Sequence, residues 1–96
     1  MMVVVTYDVN TETPEGRRRL RRVGDCCLDY GQRVQYSVFE CLVDPTQWAK
    51  LKGRLLAEVD PASDSLRFYY IGDKWRKRIE HVGAKPVKDP EGILLV

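Results

Sequence analysis

Histidine and cysteine are scarce in this chain, and the few that occur lack the spacing of a metal or nucleophile site. The 96 residues include one histidine, His81, and three cysteines, Cys26, Cys27 and Cys41. There is no CxxC pair and no Cys/His ligand pattern, and the odd cysteine count argues against a disulfide framework. We therefore expect reduced cysteines that pack as small apolar side chains in a cytoplasmic protein.

Targeting signals and long apolar segments are also missing. The apolar N-terminal run has no basic residues before it and gives way to polar residues after position 9, so we expect neither a signal peptide nor a membrane-spanning segment. A length of 96 residues suits one small domain, and 44% hydrophobic with 31% charged residues is a globular balance. So small a core would gain stability from burial in an oligomer.

Charge is nearly balanced overall but is unevenly distributed. The formal net charge is +2, yet five of the six residues at 17–22 are arginine and four of the five at 74–78 are basic. Such clusters form either solvated faces or binding surfaces for the phosphates of nucleic acid. Composition alone leaves both interpretations open.

The first half of the chain predicts a strand followed by a helix. Residues 1–9 form a continuous apolar run typical of a central strand, which ends in the single acid Asp8. Residues 14–30 carry an apolar stripe at helical spacing, with Thr13 as N-cap, Pro14 at the first helical position and Gly31 as the C-terminal cap. The stripe consists of Leu20, Val23, Cys27 and Tyr30.

The arginines of this first helix divide by helical phase. At about 100° per residue, Arg18, Arg21 and Arg22 point away from the apolar stripe, whereas Arg17 and Arg19 lie at its two borders. We therefore expect three arginines on the solvated surface and two that reach along the edge of the sheet.

Residues 33–43 change their alternation near Ser37. Apolar side chains occupy every second position before Ser37 and the opposite phase after it. This change favours two short strands joined by a tight turn. One long bent strand remains the alternative, because no Gly, Asn or Pro marks the turn.

The second half of the chain adds a helix and a strand. Asp44 and Gln47 form a capping box around Pro45, and the stripe Trp48, Leu51, Leu55 and Val59 follows. Residues 66–71 read as a strand and residues 79–83 as a further short strand.

The order β, α, β, β, α, β predicts an α+β fold, a ferredoxin-like βαββαβ sandwich with an extra C-terminal strand. Residues 1–72 form its core, and residues 73–96 form a C-terminal extension of the same single domain. The apolar tail at 93–96 is expected to pack as an edge strand at a homodimer interface.

Several segments together resemble a known family. VVVTYDV, the arginine-bearing first helix, RVQYSVFE, the DP-capped second helix and LRFYYIG resemble the small CRISPR-associated adaptation protein, the second of the two core adaptation proteins, often described as an endoribonuclease. The resemblance covers residues 2–72, and the pairing of YD with QYSVFE is its most specific part.

The resemblance implies a symmetric homodimer in which Asp8 faces its twin and acts as the catalytic, metal-binding residue. Mg²⁺ or Mn²⁺ would lie between the two Asp8 carboxylates, because a cation relieves their mutual repulsion. The implied activity is metal-dependent cleavage of phosphodiester bonds in single-stranded RNA or double-stranded DNA. The implied partners are this nucleic acid and the CRISPR integrase, with no membrane.

Further site residues are predicted around Asp8. Those expected to bind nucleic-acid phosphates are Arg17, Arg19, Arg33 and Ser37. Tyr7 and Phe39 are predicted to support the site, although both also suit packing in the core. Ser37 also suits a structural role in the turn.

Three functions remain in competition. The first is the metal-dependent endonuclease, and the second is a non-catalytic nucleic-acid-binding scaffold for the integrase. The third is an RNA-binding module of the RRM type, which is disfavoured because the third strand lacks the interleaved aromatic residues of an RNP1 sequence.

Overall fold

The molecule consists of a four-stranded antiparallel sheet with two helices packed on one of its faces. The computed structural model describes residues 1–84, 87–88, 90–91 and 94–95. The elements are β1 (Met2–Asp8), α1 (Pro14–Leu28), β2 (Gln32–Gln35), β3 (Val38–Leu42), α2 (Pro45–Glu58), β4 (Ser65–Gly72), β5 (Val87–Lys88) and β6 (Leu94–Leu95). The sheet order β2-β3-β1-β4 is that of the ferredoxin-like fold, as the sequence predicts.

The core lies between the sheet and the helices. On β1 the side chains of Val3, Val5 and Tyr7 are buried toward the helices, and the alternate positions, which end in Asp8, face the outer side of the sheet. The helices contribute the buried residues Val23, Cys26, Cys27, Trp48, Leu51 and Leu55. All three cysteines are free and buried, as expected.

Both predicted helix starts are confirmed. The Thr13 side chain accepts a hydrogen bond from the Gly16 amide at 3.0 Å. Asp44 accepts from the Gln47 amide at 2.7 Å, and the Gln47 side chain accepts in return from the Asp44 amide at 2.9 Å. Each cap pairs backbone amides that the first helical turn leaves without partners. The caps therefore fix the residue at which each helix begins.

The end of α1 differs from the prediction. The helix ends at Leu28 rather than at residue 30, and Gly31 does not adopt the positive φ of a glycine cap. A Cβ atom on Gly31 would overlap the Glu40 carbonyl oxygen and lie 2.6 Å from the Cys41 sulfur. Gly31 is therefore required for close approach to β3.

The change of phase near Ser37 is confirmed as a hairpin. β2 and β3 are separate strands joined through Tyr36 and Ser37, and their register shifts between Arg33 and Gln35. A shift of this kind bends the strand and increases its local twist.

The segment after β4 departs from the predicted strand at 79–83. The chain instead makes a single 3-10 turn at Trp75–Lys77, followed by irregular backbone and Gly83 at a φ of 138°. Trp75 is buried, and this anchors the turn in place of a strand.

A second, two-stranded sheet pairs β5 with β6 where one extra C-terminal strand was expected. Ile93 and Val96 of the predicted edge strand lie outside the described residues, so the packing of this tail on a partner stays a prediction. Within the described part of the chain, no helix has the length and apolar character needed to cross a bilayer.

Candidate nucleic-acid and metal site

Asp8 is presented at the outer face of the sheet by its neighbours in sequence. Tyr7 and Val9 are both 7% exposed and belong to the core, whereas Asp8 between them is exposed. Asp8 pairs with Ser65 at the last position of the β1–β4 ladder. The strand alternation thus holds this carboxylate in solvent on a rigid element, where it can accept hydrogen bonds or ligate a cation.

The β2–β3 turn lies beside Asp8. β1 and β3 pair Thr6 with Val38, and beyond that pair the Tyr7 amide donates to the Ser37 carbonyl oxygen at 3.2 Å. The β1–β3 ladder ends at this Thr6–Val38 pair, and Tyr36 and Ser37 form the turn between β2 and β3. Ser37 is half-buried in the turn, which agrees with its alternative structural role.

The predicted residues Tyr7, Arg33 and Phe39 form a cluster on the helix side of the sheet. The rings of Tyr7 and Phe39 stack with centroids 6.1 Å apart, and the Arg33 guanidinium carbon lies 5.0 Å from the Phe39 centroid. Burial raises the pKa of Tyr7, and a hydrogen bond with Arg33 opposes that rise. Phe39 is fully buried, so its packing role is the one that the geometry favours.

Gly24 makes room for this cluster on α1. A Cβ atom there would lie 2.8 Å from Nη2 of Arg33 and 3.5 Å from the Tyr7 hydroxyl. The guanidinium of Arg33 therefore crosses the helix surface where α1 has no side chain. This arrangement fixes the direction of Arg33 while leaving the residue exposed.

Arg17 and Arg19 both hold the loop that follows Asp8. Arg17 is exposed and donates from Nη1 to the Thr11 carbonyl oxygen at 3.1 Å. Arg19 is half-buried and donates to Asp64, which in turn accepts from the Asn10 amide at 3.0 Å. Helical phase predicted that these two arginines reach along the sheet edge; Arg19 does so at Asp64, directly before the edge strand β4, whereas Arg17 contacts only the loop after β1.

Asp64 is a residue that sequence reasoning missed. Its carboxylate is covered and accepts hydrogen bonds from Arg19 and from the amides of Asn10 and Asp60. The Arg19 hydrogen bond is the main cause that lowers the pKa of Asp64 to about 2. The polar loop at 60–65 gave no sign of this burial, because the pair is 45 residues apart in sequence.

The remaining arginines of α1 face outward, as predicted. Arg18 pairs with Glu15 at 3.3 Å, and Arg22 lies 3.9 Å from Glu58 of α2. These side chains and Arg21 are exposed. They widen the basic surface of the helix but lie away from its buried stripe.

The other carboxylate described near this end of the sheet, that of Asp64, is buried and already bound by Arg19 and two backbone amides, so Asp8 is left without an acidic neighbour on its own face. Among the described residues, no group of three or more His, Cys, Asp or Glu side chains is positioned to hold a metal ion. Glu40 shares the outer face but pairs with Val4, four residues before Asp8, and so lies about 13 Å along the strand. Mg²⁺ commonly uses one or two carboxylates together with waters and substrate phosphates. A lone Asp8 fits that type of site only if its own twin or the nucleic acid supplies further oxygens.

The predicted site residues thus fall into three groups. Asp8 and Ser37 lie together at one end of the sheet, and Arg17 and Arg19 flank the loop after Asp8. Tyr7, Arg33 and Phe39 lie on the opposite face, separated from Asp8 by the sheet itself.

The chain is thus a small ferredoxin-like sandwich that carries an exposed acid at the end of β1 and arginines around the loop that follows it. The family model described as CRISPR associated protein Cas2 matches residues 1–79. The chain belongs to this family.

Relatives with high sequence identity match the chain over most or all of its length. The CRISPR-associated endoribonuclease Cas2 of Nitratidesulfovibrio vulgaris is 65% identical over 96 residues, which cover 100% of this chain and 94% of that protein. The protein of the same name from Chlorobaculum tepidum is 64% identical with full coverage of both. The crystal structure of Streptococcus pyogenes Cas2 at pH 6.5 has a TM-score of 0.76 and 58% identity, and covers 86% of this chain and 100% of that one.

Proposed function

We propose that this protein is a metal-dependent endonuclease of CRISPR adaptation that cleaves phosphodiester bonds in single-stranded RNA, double-stranded DNA or both. The observation that carries the proposal is the exposed Asp8 at the end of a buried strand, with Arg17 and Arg19 around the loop that follows it. The endoribonuclease names of full-length relatives support the same chemistry. The activity of the protein is expected to be weak, because each chain contributes only one acidic residue, Asp8, to the proposed metal site.

The working form that we propose is a symmetric homodimer. A twofold axis repeats every group, so one exposed Asp8 per chain becomes two facing carboxylates. Mg²⁺ or Mn²⁺ held between them, with waters and a substrate phosphate as further ligands, fits the lone carboxylate of each chain. When bound, the cation would lower the pKa of a water and offset charge on the phosphate.

The other residues of the chain bind and orient the nucleic acid in this proposal. Arg17 is exposed and its guanidinium retains donors beyond its bond to Thr11, so it can bind phosphate oxygens near Asp8. Arg19 holds the loop through Asp64 and keeps the end of β1 in place. Arg33 is fixed by Phe39 and Tyr7 and can bind phosphate from the edge of the sheet.

A second candidate function is a non-catalytic scaffold for the CRISPR integrase. It is favoured by the exposed arginines Arg18, Arg21 and Arg22, which point away from Asp8 and suit sequence-independent contact with duplex phosphates. The two functions are compatible, since DNA binding by an outer arginine surface needs no metal.

The free, buried cysteines agree with a reducing compartment such as the cytoplasm.

Cleavage assays on wild type and Asp8→Asn separate the two functions. Single-stranded RNA and duplex DNA are incubated with each protein, with and without Mg²⁺ or Mn²⁺. Loss of cleavage by at least ~10²-fold in Asp8→Asn, with duplex binding retained, supports the nuclease. Metal-dependent cleavage that survives in Asp8→Asn removes Asp8 from the mechanism. Absence of cleavage by wild type, with binding intact, leaves the scaffold.

A further inference from the structure

Arg67 of β4 faces the same side of the sheet as Asp8. In the β1–β4 ladder, Thr6 pairs with Arg67 and Asp8 pairs with Ser65. Residues directly opposite each other in an antiparallel pair share a face, and alternate residues of one strand do the same. Tyr7 lies in the core, so its two neighbours on β1 and the β4 partners of those neighbours face the outer side.

The spacing between Asp8 and Arg67 suits an anion bound between them. They are diagonal neighbours on adjacent strands, which places their Cβ atoms about 7–8 Å apart. The small side chain of Thr6 lies on this patch, and its hydroxyl donates to the Arg67 carbonyl oxygen at 3.3 Å. Within the described part of the chain, the Arg67 guanidinium forms no ion pair with a carboxylate, unlike that of Arg19.

The guanidinium of Arg67 is supported by an aromatic ring. Its central carbon lies 5.4 Å from the ring centroid of Tyr69, and both residues are exposed. A ring against one face of a guanidinium restricts its motion and leaves the N–H donors along its edge available to an anion. The fork of donors that binds two phosphate oxygens is therefore held in solvent on a strand.

Arg67 also supplies a positive charge that the face of Asp8 otherwise lacks. Among the outward-facing positions of β1, β3 and β4, it is the only basic residue. Arg17 and Arg19 come from α1, which packs on the opposite face of the sheet. In the proposed dimer, two Asp8 carboxylates and one divalent cation cancel in charge. The negative charge of a phosphodiester bound there still needs a positive partner.

We propose that Arg67 binds the phosphate that is cleaved at Asp8 and stabilises its negative charge during hydrolysis. The inference rests on the proposed nuclease and deepens it, because it assigns a residue on the face of Asp8 to the scissile phosphate. In this hydrolysis a water oxygen bonds to phosphorus and the bond from phosphorus to one sugar oxygen breaks. The proton that the water gives up ends on that sugar oxygen. The non-bridging oxygens gain charge between these events, when a bidentate guanidinium stabilises them most.

Cleavage kinetics test the role of Arg67 in the reaction. With the substrate that wild type cleaves, Arg67→Ala is expected to lower kcat about 10²-fold and to change KM much less. Arg67→Lys should recover only part of this loss, because an ammonium group cannot bind two phosphate oxygens as a planar fork does. Added guanidinium ion at a non-denaturing concentration should partly restore cleavage by Arg67→Ala, which a merely structural role would not allow.

Lys50→Ala is the matched control. Lys50 is an exposed residue of α2, on the helix-covered side of the sheet, and its removal changes the net charge by the same amount. This variant is expected to cleave as wild type does.

Binding in the presence of a chelator gives a readout that needs neither metal nor cleavage. Arg67→Ala should reduce the slope of log affinity against log salt by about one unit, and Lys50→Ala should leave it unchanged. Thermal unfolding shows whether each variant is folded. Arg67→Gln, which keeps a long side chain beside Tyr69 without the charge, replaces Arg67→Ala if that protein does not fold.

An unchanged salt slope in the uncharged Arg67 variant would overturn the assignment, and so would cleavage at the wild-type rate. If that variant cleaves normally while Asp8→Asn is inactive, the proposed nuclease stands and the role of Arg67 fails. If wild type does not cleave but loss of Arg67 still lowers the salt slope, Arg67 stands as a phosphate-binding residue and the nuclease fails.

Discussion

Arg19 donates to both carboxylate oxygens of Asp64, from Nε at 2.8 Å and from Nη2 at 3.2 Å. The same carboxylate accepts the Asn10 amide, which joins the loop after Asp8 to the loop before β4. A buried ion pair of this kind holds two distant segments in register, although its desolvation offsets part of its attraction. The conformation of the end of β1 thus depends on a contact between residues that are far apart in sequence.

Replacing this acid is expected to change stability in a pH-dependent way. Asp64→Asn should lower the free energy of unfolding at pH 7 by about 2 kcal/mol, because Arg19 loses a charged acceptor. The folded-state pKa of Asp64 is about 2, below its ordinary value of 3.8. The stabilisation of wild type is therefore complete above its ordinary pKa and is lost as pH falls from about 5 toward about 2. Denaturant unfolding of both proteins across this pH range measures the difference between their free energies of unfolding. A difference that stays constant down to pH 2 would contradict the low pKa of Asp64.

The exposed Arg17 is expected to contribute one phosphate contact. Arg17→Ala should weaken binding of nucleic acid and reduce the slope of log affinity against log salt by about one unit. Arg22→Ala is the control, because Arg22 points outward toward Glu58. Filter binding at several salt concentrations gives both slopes. Equal losses at the two positions would favour a diffuse basic surface over a contact near Asp8.

Replacing either of two glycines with alanine is expected to change the stability of the fold, in opposite directions. Gly31→Ala should destabilise the fold by about 1–3 kcal/mol, because its Cβ would overlap the backbone of β3. Gly53→Ala in α2 should stabilise it by about 0.5–1 kcal/mol, because nothing lies within 4 Å and alanine favours the helix. Thermal unfolding of the two variants compares them directly. A Gly31→Ala protein as stable as wild type would show that the segment between α1 and β2 does not need its close approach to β3.

Local signals predicted most of the fold. The apolar run of β1, the caps Thr13 and Asp44 and the change of phase at Ser37 depend on residues within a few positions of one another, and all three are confirmed. The end of α1 was placed too late because Gly31 reads as a cap, whereas its role is set by Glu40 and Cys41 of another strand.

The site was predicted less completely because its parts meet only in three dimensions. The role of Asp8 is implied by the family resemblance, and helical phase singles out the two arginines at the borders of the apolar stripe. The burial of Asp64 and the packing of Arg33 on Phe39 involve partners that periodicity cannot identify. Tyr36 is exposed in the turn between β2 and β3, although alternation along β2 groups it with the apolar positions.

In the proposed dimer, two Asp8 carboxylates from two chains are expected to share one divalent cation. This stoichiometry is specific, since a separate site on each chain would bind one ion per chain. Sedimentation analysis first establishes whether wild type and Asp8→Asn are both dimers. Removal of two facing charges should leave the metal-free dimer as stable as before or more stable.

The most direct measurement is a titration of Mn²⁺ into each protein, followed by electron paramagnetic resonance of the free ion. We expect one bound Mn²⁺ for every two wild-type chains and loss of that binding in Asp8→Asn. One Mn²⁺ per wild-type chain, or undiminished binding by Asp8→Asn, would contradict it.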